Sequence, residues 1–360
     1  MALRKLLGIE FPIIQAPMAG SDNAAMVAAA SNAGVLGSLG AQYRTPQEMR
    51  TALRQIRAQT DKPFAVNLFA LKPLQPPSAE SIHKARASLL KYYSKFGLSS
   101  PSDDDVRKTI SAEEQLLVLL DERVPVFSFT LGMLETKWVA ALKSNGTTVI
   151  GTATNVREAK ALENSGVDAI VVQGVEAGGH RGTFSGPCES SLIGLMALIP
   201  QVVDVVRVPV IAAGGIMDGR GIAAALCLGA SGVQMGTAFL TTTECPVHAN
   251  YKNAILAHEA DETTITAAFS GGAARGIRNK FIEEQQPETD LLPFPFHNAL
   301  TRPIRKAANA IGDTEMTNLW CGQAGSLARR LSTQELVRRL SNETEAALSR
   351  APRFSKSKAE

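Results

Sequence analysis

The chain has 360 residues, of which 37 are basic and 34 acidic, and the net charge of +3 gives no electrostatic reason to expect a nucleic-acid or membrane partner. A composition of 45% hydrophobic and 20% charged residues excludes disorder, collagen and coiled-coil arrays as the main architecture. The length fits two ordinary domains or one large α/β barrel with insertions.

Short apolar and β-branched runs recur along the chain and predict buried strands. The runs begin near Ile13, Val35, Phe64, Val126, Thr147, Ala169, Val210 and Gly232. Most starts are about 22 residues apart, and runs without polar alternation are typical of strands buried on both faces of a parallel sheet. Helical patterns fill the gaps, so the chain predicts an α/β fold, a (β/α)₈ barrel, with a doubly wound sheet as the alternative.

Capping residues indicate where several of the intervening helices begin. An Ala-rich segment, 23–32, ends just before Gly34, a residue suited to a helix C-terminus. Thr45 is followed by proline and, three positions on, by Glu48, which predicts a capping box. Residues 155–164 and 218–228 predict two further helices in the later gaps.

The unequal spacing of the strands predicts insertions. We expect residues 1–240 to form the barrel, with an insertion at about 70–125 that contains an amphipathic helix from Ala79 to Phe96. Residues 241–360 predict a helical extension that packs over the barrel mouth, ending in a flexible basic tail at about 350–360.

Cysteine use and hydropathy predict a cytoplasmic protein. The four cysteines, Cys188, Cys227, Cys245 and Cys321, form no C-x-x-C pair, so the spacings of zinc and thioredoxin-type sites are absent. Charge interrupts the N-terminus too early for a signal-peptide core. No apolar run reaches the ~18 residues of a membrane span.

Glycines follow the last two predicted strands, and in a barrel the strand ends carry the active site. Gly214 and Gly215 follow the seventh strand, and Gly236 and Thr237 follow the eighth. Glycines let backbone N–H groups approach an anion closely, and a helix predicted to begin near Asp218 would add positive potential. These loops predict a phosphate site rather than two simple turns, whereas no G-x-G-x-x-G supports a Rossmann site.

Three uncharged amides, Asn67, Gln173 and Gln234, also end predicted strands. Three amides around one mouth suit a polar ring system such as a flavin or a nucleobase. His180 follows a Gly-Gly pair in a loop, where an imidazole can take a proton or hold an anion. No pair of histidines has the spacing of a metal site, and no G-x-S-x-G nucleophile motif occurs, so no metal is predicted.

Several segments of the sequence resemble the FMN-dependent nitronate monooxygenases, formerly called 2-nitropropane dioxygenases. They are IIQAPMAG, the strand end at Asn67, VVQGVEAGGHRG, PVIAAGGI, GVQMGTAF and FSGGAARGIRN. The segments run in order to about residue 280. The pattern QGxEAGGHxG is specific within flavin-binding barrels, although FMN-dependent enoyl-acyl-carrier-protein reductases share it.

The resemblance implies an enzyme that oxidises a nitronate or nitroalkane with O₂, giving a carbonyl compound and nitrite through a flavin semiquinone, with propionate 3-nitronate as the candidate substrate. It implies that His180 is the catalytic histidine, as a protonated or hydrogen-bonding group toward a nitronate and as a base toward a nitroalkane. It implies FMN contacts at Asn67, Gln173, Gly178, Gly215, Gln234, Met235, Gly236 and Thr237, with Gly215, Gly236 and Thr237 nearest the phosphate.

Two alternatives stay open at this point. One is an NAD(P)H-dependent FMN reductase on the same barrel, acting on an enoyl thioester or a quinone. The other is a flavin- or phosphate-binding barrel with little catalysis of its own. The chain also departs from the family in carrying Phe294 and Phe296 where a tyrosine is common. A cation is expected near the N1/O2 edge of the flavin, and Arg181 is the one that lies next to His180 in sequence.

Overall fold

The computed structural model describes residues 2–72 and 74–350. In chain order its strands are β1 (Ile13–Gln15), β2 (Gly37–Gly40), β3 (Phe64–Phe69), β4 (Val126–Thr130), β5 (Thr148–Ala153), β6 (Ala169–Gln173), β7 (Gly179–His180), β8 (Val210–Ala213), β9 (Gly232–Met235), β10 (Thr263–Thr266) and β11 (Ala274–Ile277). Its helices are α1 (Ala2–Leu7), α2 (Ala24–Asn32), α3 (Pro46–Arg57), α4 (Ala79–Lys95), α5 (Asp103–Arg107), α6 (Ala112–Asp121), α7 (Thr136–Ser144), α8 (Val156–Asn164), α9 (Leu195–Val203), α10 (Gly219–Cys227), α11 (Thr237–Leu240), α12 (Ala249–Ala257), α13 (Lys280–Glu284), α14 (Phe296–Ala310) and α15 (Thr333–Arg350).

Eight parallel strands form the barrel that the sequence predicts. Their order is β1-β9-β8-β6-β5-β4-β3-β2, and a parallel bridge between Ile14 and Leu36 joins the two ends of the sheet. Each barrel strand begins within two residues of its predicted start. The (β/α)₈ prediction is confirmed, and the doubly wound alternative is wrong because the sheet closes on itself.

Side chains alternate between the inside and the outside of the barrel along each strand. Val126 and Val171 belong to an inner apolar core, which α1 closes at one end with Leu3 and Leu7. Their strand neighbours, such as Phe127, belong to the larger outer core between the strands and the helices. Both faces of the sheet are therefore apolar, which explains the continuous hydrophobic runs.

The predicted helix starts are confirmed by their caps. Thr45 and Glu48 form a reciprocal capping box, with the Thr45 N–H donating to Glu48 Oε2 at 2.7 Å. Asn23 and Asn155 cap α2 and α8 by accepting from backbone N–H groups three residues on. Each such side chain stabilises its helix by ~1 kcal/mol, so these boundaries could be predicted from local sequence.

The segments outside the barrel strands either belong to the ring of helices around the barrel or lie over its mouth. Helix α6 falls within the predicted insertion but packs on α3 and α7, so it occupies the ring position between β3 and β4. Helix α15 packs on α10 and α2 and completes the ring, rather than covering the mouth as expected for all of residues 241–360. Helices α4, α5 and α14 share a separate apolar core over the mouth. The predicted basic tail lies outside the described residues from 351 onward.

The described residues contain no helix long and apolar enough to cross a membrane. Within the same ranges, no group of three or more His, Cys, Asp or Glu side chains is placed to hold a metal ion.

Candidate active site

A deep cavity opens at the carboxyl ends of the barrel strands, and its empty volume including the mouth is about 1450 Å³. The strand ends and the loops that follow them contribute Met18, Asn67, Phe69, Ser128, Thr152, Gln173, Gly178, His180, Gly215, Gln234, Gly236 and Thr237. The loop after β2 and the C-terminal third contribute Tyr43, Ser270, Asn298, Arg305, Asn318 and Trp320. The barrel thus supplies the floor, and the segments over the mouth supply one wall.

The floor of the cavity is polar because the inward-facing side chains change from apolar to polar toward the carboxyl ends of the strands. On β4, Val126 lies in the inner apolar core and Ser128, two residues later, lines the cavity. The same two-residue step leads from Ala65 to Asn67 on β3. Because side chains two apart share a face, the apolar core is covered by a layer of neutral polar groups. The sequence prediction that Asn67, Gln173 and Gln234 meet at one mouth is consistent with this placement.

The loops after β8 and β9 approach the cavity with their backbone. Gly214 and Gly215 have φ of 119° and 65°, a region that residues with a Cβ rarely adopt. Within the described ranges, the backbone N–H groups of Gly215, Gly236 and Thr237 have no hydrogen-bond acceptor. Donors of this kind on the loops after the last two barrel strands are suited to a phosphate.

The helix after Gly215 does not add to this anion site, contrary to the expectation from the sequence. The Asp218 carboxylate caps α10 and accepts from the backbone N–H groups of Arg220 at 2.9 Å and Gly221 at 3.4 Å. Because a carboxylate already occupies the N-terminus of α10, its positive potential is offset there.

Gln173 holds the loop that carries His180. Its Nε2 donates to the His180 carbonyl at 3.0 Å, and its Oε1 accepts from the Gly182 N–H at 2.8 Å. Gly178 lies in the same loop, where a Cβ would come within 2.6 Å of the backbone of Cys321 and Gly322. This glycine is needed because the C-terminal segment crosses the loop closely.

The other predicted ligand residues differ in what they offer the cavity. Asn67 donates from Nδ2 to Ser128 Oγ at 2.9 Å, which orients its amide. Gln234 makes no side-chain hydrogen bond to another described residue, so both ends of its amide are available to a ligand. The Met235 side chain packs in the outer core, and only its backbone can face the cavity.

His180 lies in a short strand over the mouth. Strand β7 pairs antiparallel with β11, which places His180 opposite Ala274. Nε2 of His180 lies 2.9 Å from Ser270 Oγ, and the Ser270 hydroxyl also lies 3.0 Å from the Gly272 carbonyl. When the Ser270 hydroxyl donates its proton to the Gly272 carbonyl, its oxygen accepts a hydrogen bond from Nε2–H of His180. Nδ1 is then the unprotonated, basic nitrogen of the imidazole.

Aromatic rings surround the His180 imidazole. The ring centroids of Phe69, Phe294 and Trp320 lie 5.9, 5.3 and 5.8 Å from that of His180. Burial, with a smaller contribution from the charge of Arg305, lowers the pKa of His180 to about 4. With this pKa the imidazole is neutral near pH 7, which favours the hydrogen-bonding role over the protonated role toward a nitronate. A neutral imidazole can accept a proton or a hydrogen bond, but it does not neutralise an anion.

The two phenylalanines of the Pro-Phe segment, Phe294 and Phe296, have different surroundings. Phe294 packs against His180 and Phe69, with centroid distances of 5.3 and 5.6 Å. Phe296 is buried in the apolar core over the mouth. Phe294 therefore contributes apolar surface, without a hydroxyl, beside the imidazole.

The cation adjacent to His180 in sequence does not reach the cavity. Arg181 is buried and donates to three backbone carbonyls, those of Gly174 at 2.6 Å, Ser191 at 2.9 Å and Gln173 at 3.2 Å. These hydrogen bonds hold the loop that carries His180 in place. The cation that does line the cavity is Arg305 of α14.

Sequence reasoning missed most of the wall over the mouth, including Tyr43, Ser270, Asn298, Arg305 and Trp320. Ser270 falls in the segment FSGGAARGIRN, which the family resemblance already marks. Nothing local distinguishes Arg305 from the other basic residues of an amphipathic helix, because its burial depends on packing with distant segments.

The fold and the cavity define a class of protein: a (β/α)₈-barrel enzyme whose strand-end site is lined by neutral amides, free backbone donors and one histidine. A family model described as nitronate monooxygenase matches residues 1–343. The chain belongs to the nitronate monooxygenase family, a family of flavoenzymes that act on small-molecule nitronates, and it is an oxidoreductase of that type.

The curated relatives carry the same family description, and the solved structures share the fold. A probable nitronate monooxygenase of Staphylococcus aureus (strain MSSA476) is 44% identical over 95% of this chain and 96% of its own. One of Staphylococcus haemolyticus is 43% identical over 96% and 97%. The solved nitroalkane oxidase from Streptomyces ansochromogenes is 37% identical with a TM-score of 0.90, over 97% of this chain and 99% of its own. FabK from Thermotoga maritima is 30% identical with a TM-score of 0.76, over 97% of each chain.

Proposed function

We propose that this chain is an FMN-dependent nitronate monooxygenase that oxidises alkyl nitronates with O₂. In this reaction the C–N bond breaks, the carbon becomes a carbonyl and the nitrogen leaves as nitrite. The observation that carries the proposal is the meeting, in one cavity, of unpaired backbone donors at Gly215, Gly236 and Thr237 with a neutral imidazole at His180.

The residues present fit FMN in two respects. The N–H groups of Gly215, Gly236 and Thr237 suit its phosphate, since they lack acceptors among the described residues. The amides of Asn67 and Gln234, with the backbone of Met235, suit the alternating donors and acceptors of the flavin ring. Gln173 and Gly178 shape the loop that carries His180, and both would contact the cofactor. When bound, FMN supplies the electron-accepting chemistry.

His180 acts on the substrate side of this site. Its neutral imidazole can accept a proton from the α-carbon of a nitroalkane, which makes it a general base for that substrate. A nitronate has already lost this proton, so toward it His180 orients the substrate by hydrogen bonding. The rings of Phe69, Phe294 and Trp320 pack around the imidazole.

We further propose that different parts of the chain bind the cofactor and the substrate. Residues 1–240 hold the cofactor, and the segments of residues 241–350 that precede α15 close the cavity and form the substrate wall. Propionate 3-nitronate is the candidate substrate within the alkyl nitronates. The second candidate activity is an NAD(P)H-dependent FMN reductase on the same barrel.

The test uses the purified protein with its bound flavin. Ethyl nitronate in air should give O₂ consumption and nitrite release with no nicotinamide present. NADH oxidation with an enoyl thioester or a quinone, combined with no nitrite from nitronate, would instead establish the reductase.

A further inference from the structure

Arg305 is a cation at the cavity wall that has no counter-ion. Its guanidinium donates to Asn298 Oδ1 at 2.6 Å, Asn318 Oδ1 at 3.2 Å and Thr301 Oγ1 at 3.3 Å, all of which are neutral oxygens. Among residues 2–72 and 74–350, no carboxylate forms an ion pair with it. Taking a charge out of water without a partner is costly, so such a group is retained where an anion is to be bound.

Two buried arginines, Arg181 and Arg275, differ from the half-buried Arg305. Arg181 and Arg275 also bond neutral oxygens, and burial lowers the pKa of both, but the nearby Glu176 carboxylate opposes that shift. No carboxylate acts on Arg305, and burial lowers its pKa to about 10, which still leaves it charged. Arg305 also lines the cavity, which Arg181 and Arg275 do not.

The surroundings of Arg305 preorganise it for a ligand. The two asparagine oxygens and the Thr301 hydroxyl fix the plane of the guanidinium at the cavity wall. Tyr43 lines the same wall. Nη2 also donates to the Asn298 carbonyl at 3.3 Å, so one N–H of Nη1 is left to donate to an oxygen of a carboxylate or a nitronate, supported by the positive charge of the guanidinium.

The other groups of the site leave the charge of a nitronate uncompensated. His180 is neutral, the strand-end amides are neutral, and the backbone donors at Gly215 and Gly236 are assigned to the cofactor phosphate. Arg305 is close enough to His180 for its charge to lower the pKa of the imidazole. The cation and the proposed base therefore act on the same part of the cavity.

We propose that Arg305 is the anion-binding residue of the substrate pocket and selects anionic substrates. Its partner is the nitronate group or a carboxylate carried by the same substrate. The proposal rests on the proposed function for the identity of the anion, and the experiment below separates the two sources.

The kinetic test compares Arg305→Gln and Arg305→Lys with the wild type. Lys306→Gln is the matched control, because Lys306 is the next residue of α14 and is exposed. With ethyl nitronate and with propionate 3-nitronate, Arg305→Gln should lower kcat/KM by ~10²-fold, mainly through KM, since loss of a buried charge partner has effects of this size. Arg305→Lys should recover part of the loss, and Lys306→Gln should stay near the wild type.

The two substrates identify the anion. An equal loss with both assigns Arg305 to the nitronate group, and a loss confined to propionate 3-nitronate assigns it to the carboxylate. Each result supports the proposal. Unchanged KM for both substrates in an Arg305→Gln protein of normal flavin content overturns it, as does a change in the flavin reduction potential alone.

A binding measurement keeps the proposal separate from the proposed function and from turnover. Calorimetry with sodium nitrate, a planar anion, should show binding to the wild type and to Lys306→Gln. Arg305→Gln should weaken that binding at least tenfold. If nitronates are not turned over but nitrate binding depends on Arg305, the proposed function fails and the anion site stands. If neither Arg305→Gln nor Arg305→Lys alters nitrate binding, the anion site is wrong.

Discussion

At the scale of single residues, the chemistry of His180 is determined by the side chains around it. Its position after a Gly-Gly pair could be read from the sequence, but its protonation state could not. The rings of Phe69, Phe294 and Trp320 come from three distant segments, and their apolar surfaces surround the imidazole and disfavour its charged form. His180 is therefore a neutral group, suited to accepting a proton or a hydrogen bond.

Replacing His180 by asparagine should separate catalysis from folding. His180→Asn should keep the flavin and lower kcat/KM with a nitroalkane by ~10²-fold or more, the usual contribution of a general base. Steady-state nitrite release measures the effect. His83→Asn is the matched control, because His83 is exposed on α4. Equal turnover in the wild type and His180→Asn would remove His180 from the mechanism.

At the scale of elements, the small sheet β10-β11-β7 couples the C-terminal third to the barrel. Its pairing places His180 over the mouth, and the neighbouring segment at Cys321 and Gly322 packs directly on Gly178. The sequence marks Gly178 only as part of a glycine-rich loop. That a backbone crosses it could not be predicted, since the contact joins residues more than 140 apart.

A methyl group at Gly178 should disturb this crossing. In Gly178→Ala the new Cβ would lie 2.6 Å from two backbone atoms, so one segment must move. We expect a loss of ~1–3 kcal/mol in the free energy of unfolding, the usual result of overpacking, together with lower flavin content. Denaturant unfolding and absorbance of the bound flavin measure both.

Gly194→Ala provides the comparison for that change. At Gly194 the same methyl meets its nearest atom, Glu176 Oε1, at 3.4 Å, an ordinary contact. Its stability should stay within ~0.5 kcal/mol of the wild type. If both variants unfold alike, close packing at Gly178 does not hold the loop.

At the scale of the whole molecule, the barrel was predictable and its covering was not. Local sequence alone determines where strands begin, as at Phe64 and Val126, and where helices are capped, as at Thr45. Helix α15 looked like part of a cover over the mouth, yet it fills the ring between α10 and α2. Its amphipathic pattern shows that one face is buried but does not show against which neighbours.

Buried neutral histidines should make the whole fold sensitive to acid. Burial lowers the pKa of both His180 and His297 to about 4, whereas an unfolded histidine has a pKa of about 6.5. Between these values the unfolded chain binds more protons, so the free energy of unfolding falls as the pH is lowered from about 6.5 to about 4. Asp22, with its pKa raised to about 6, acts in the opposite direction and offsets part of this slope.

Replacing His297 should reduce that acid sensitivity. His297→Gln removes one of the two groups, and the slope of unfolding free energy against pH should fall by up to ~1.4 kcal/mol per unit between pH 6 and pH 4.5. Urea unfolding at several pH values measures it, with His83→Gln as an exposed comparison. An unaltered slope would show that His297 is not neutral in the folded protein.

The central claim is that this cavity oxidises nitronates through a bound flavin without a nicotinamide. The most direct measurement is anaerobic mixing of the flavin-loaded protein with ethyl nitronate and, separately, with NADH or NADPH, while the flavin absorbance is followed. The account predicts that nitronate alone changes the spectrum of the oxidised flavin and that the nicotinamides do not. An unchanged spectrum with nitronate, together with bleaching by a nicotinamide, would contradict it.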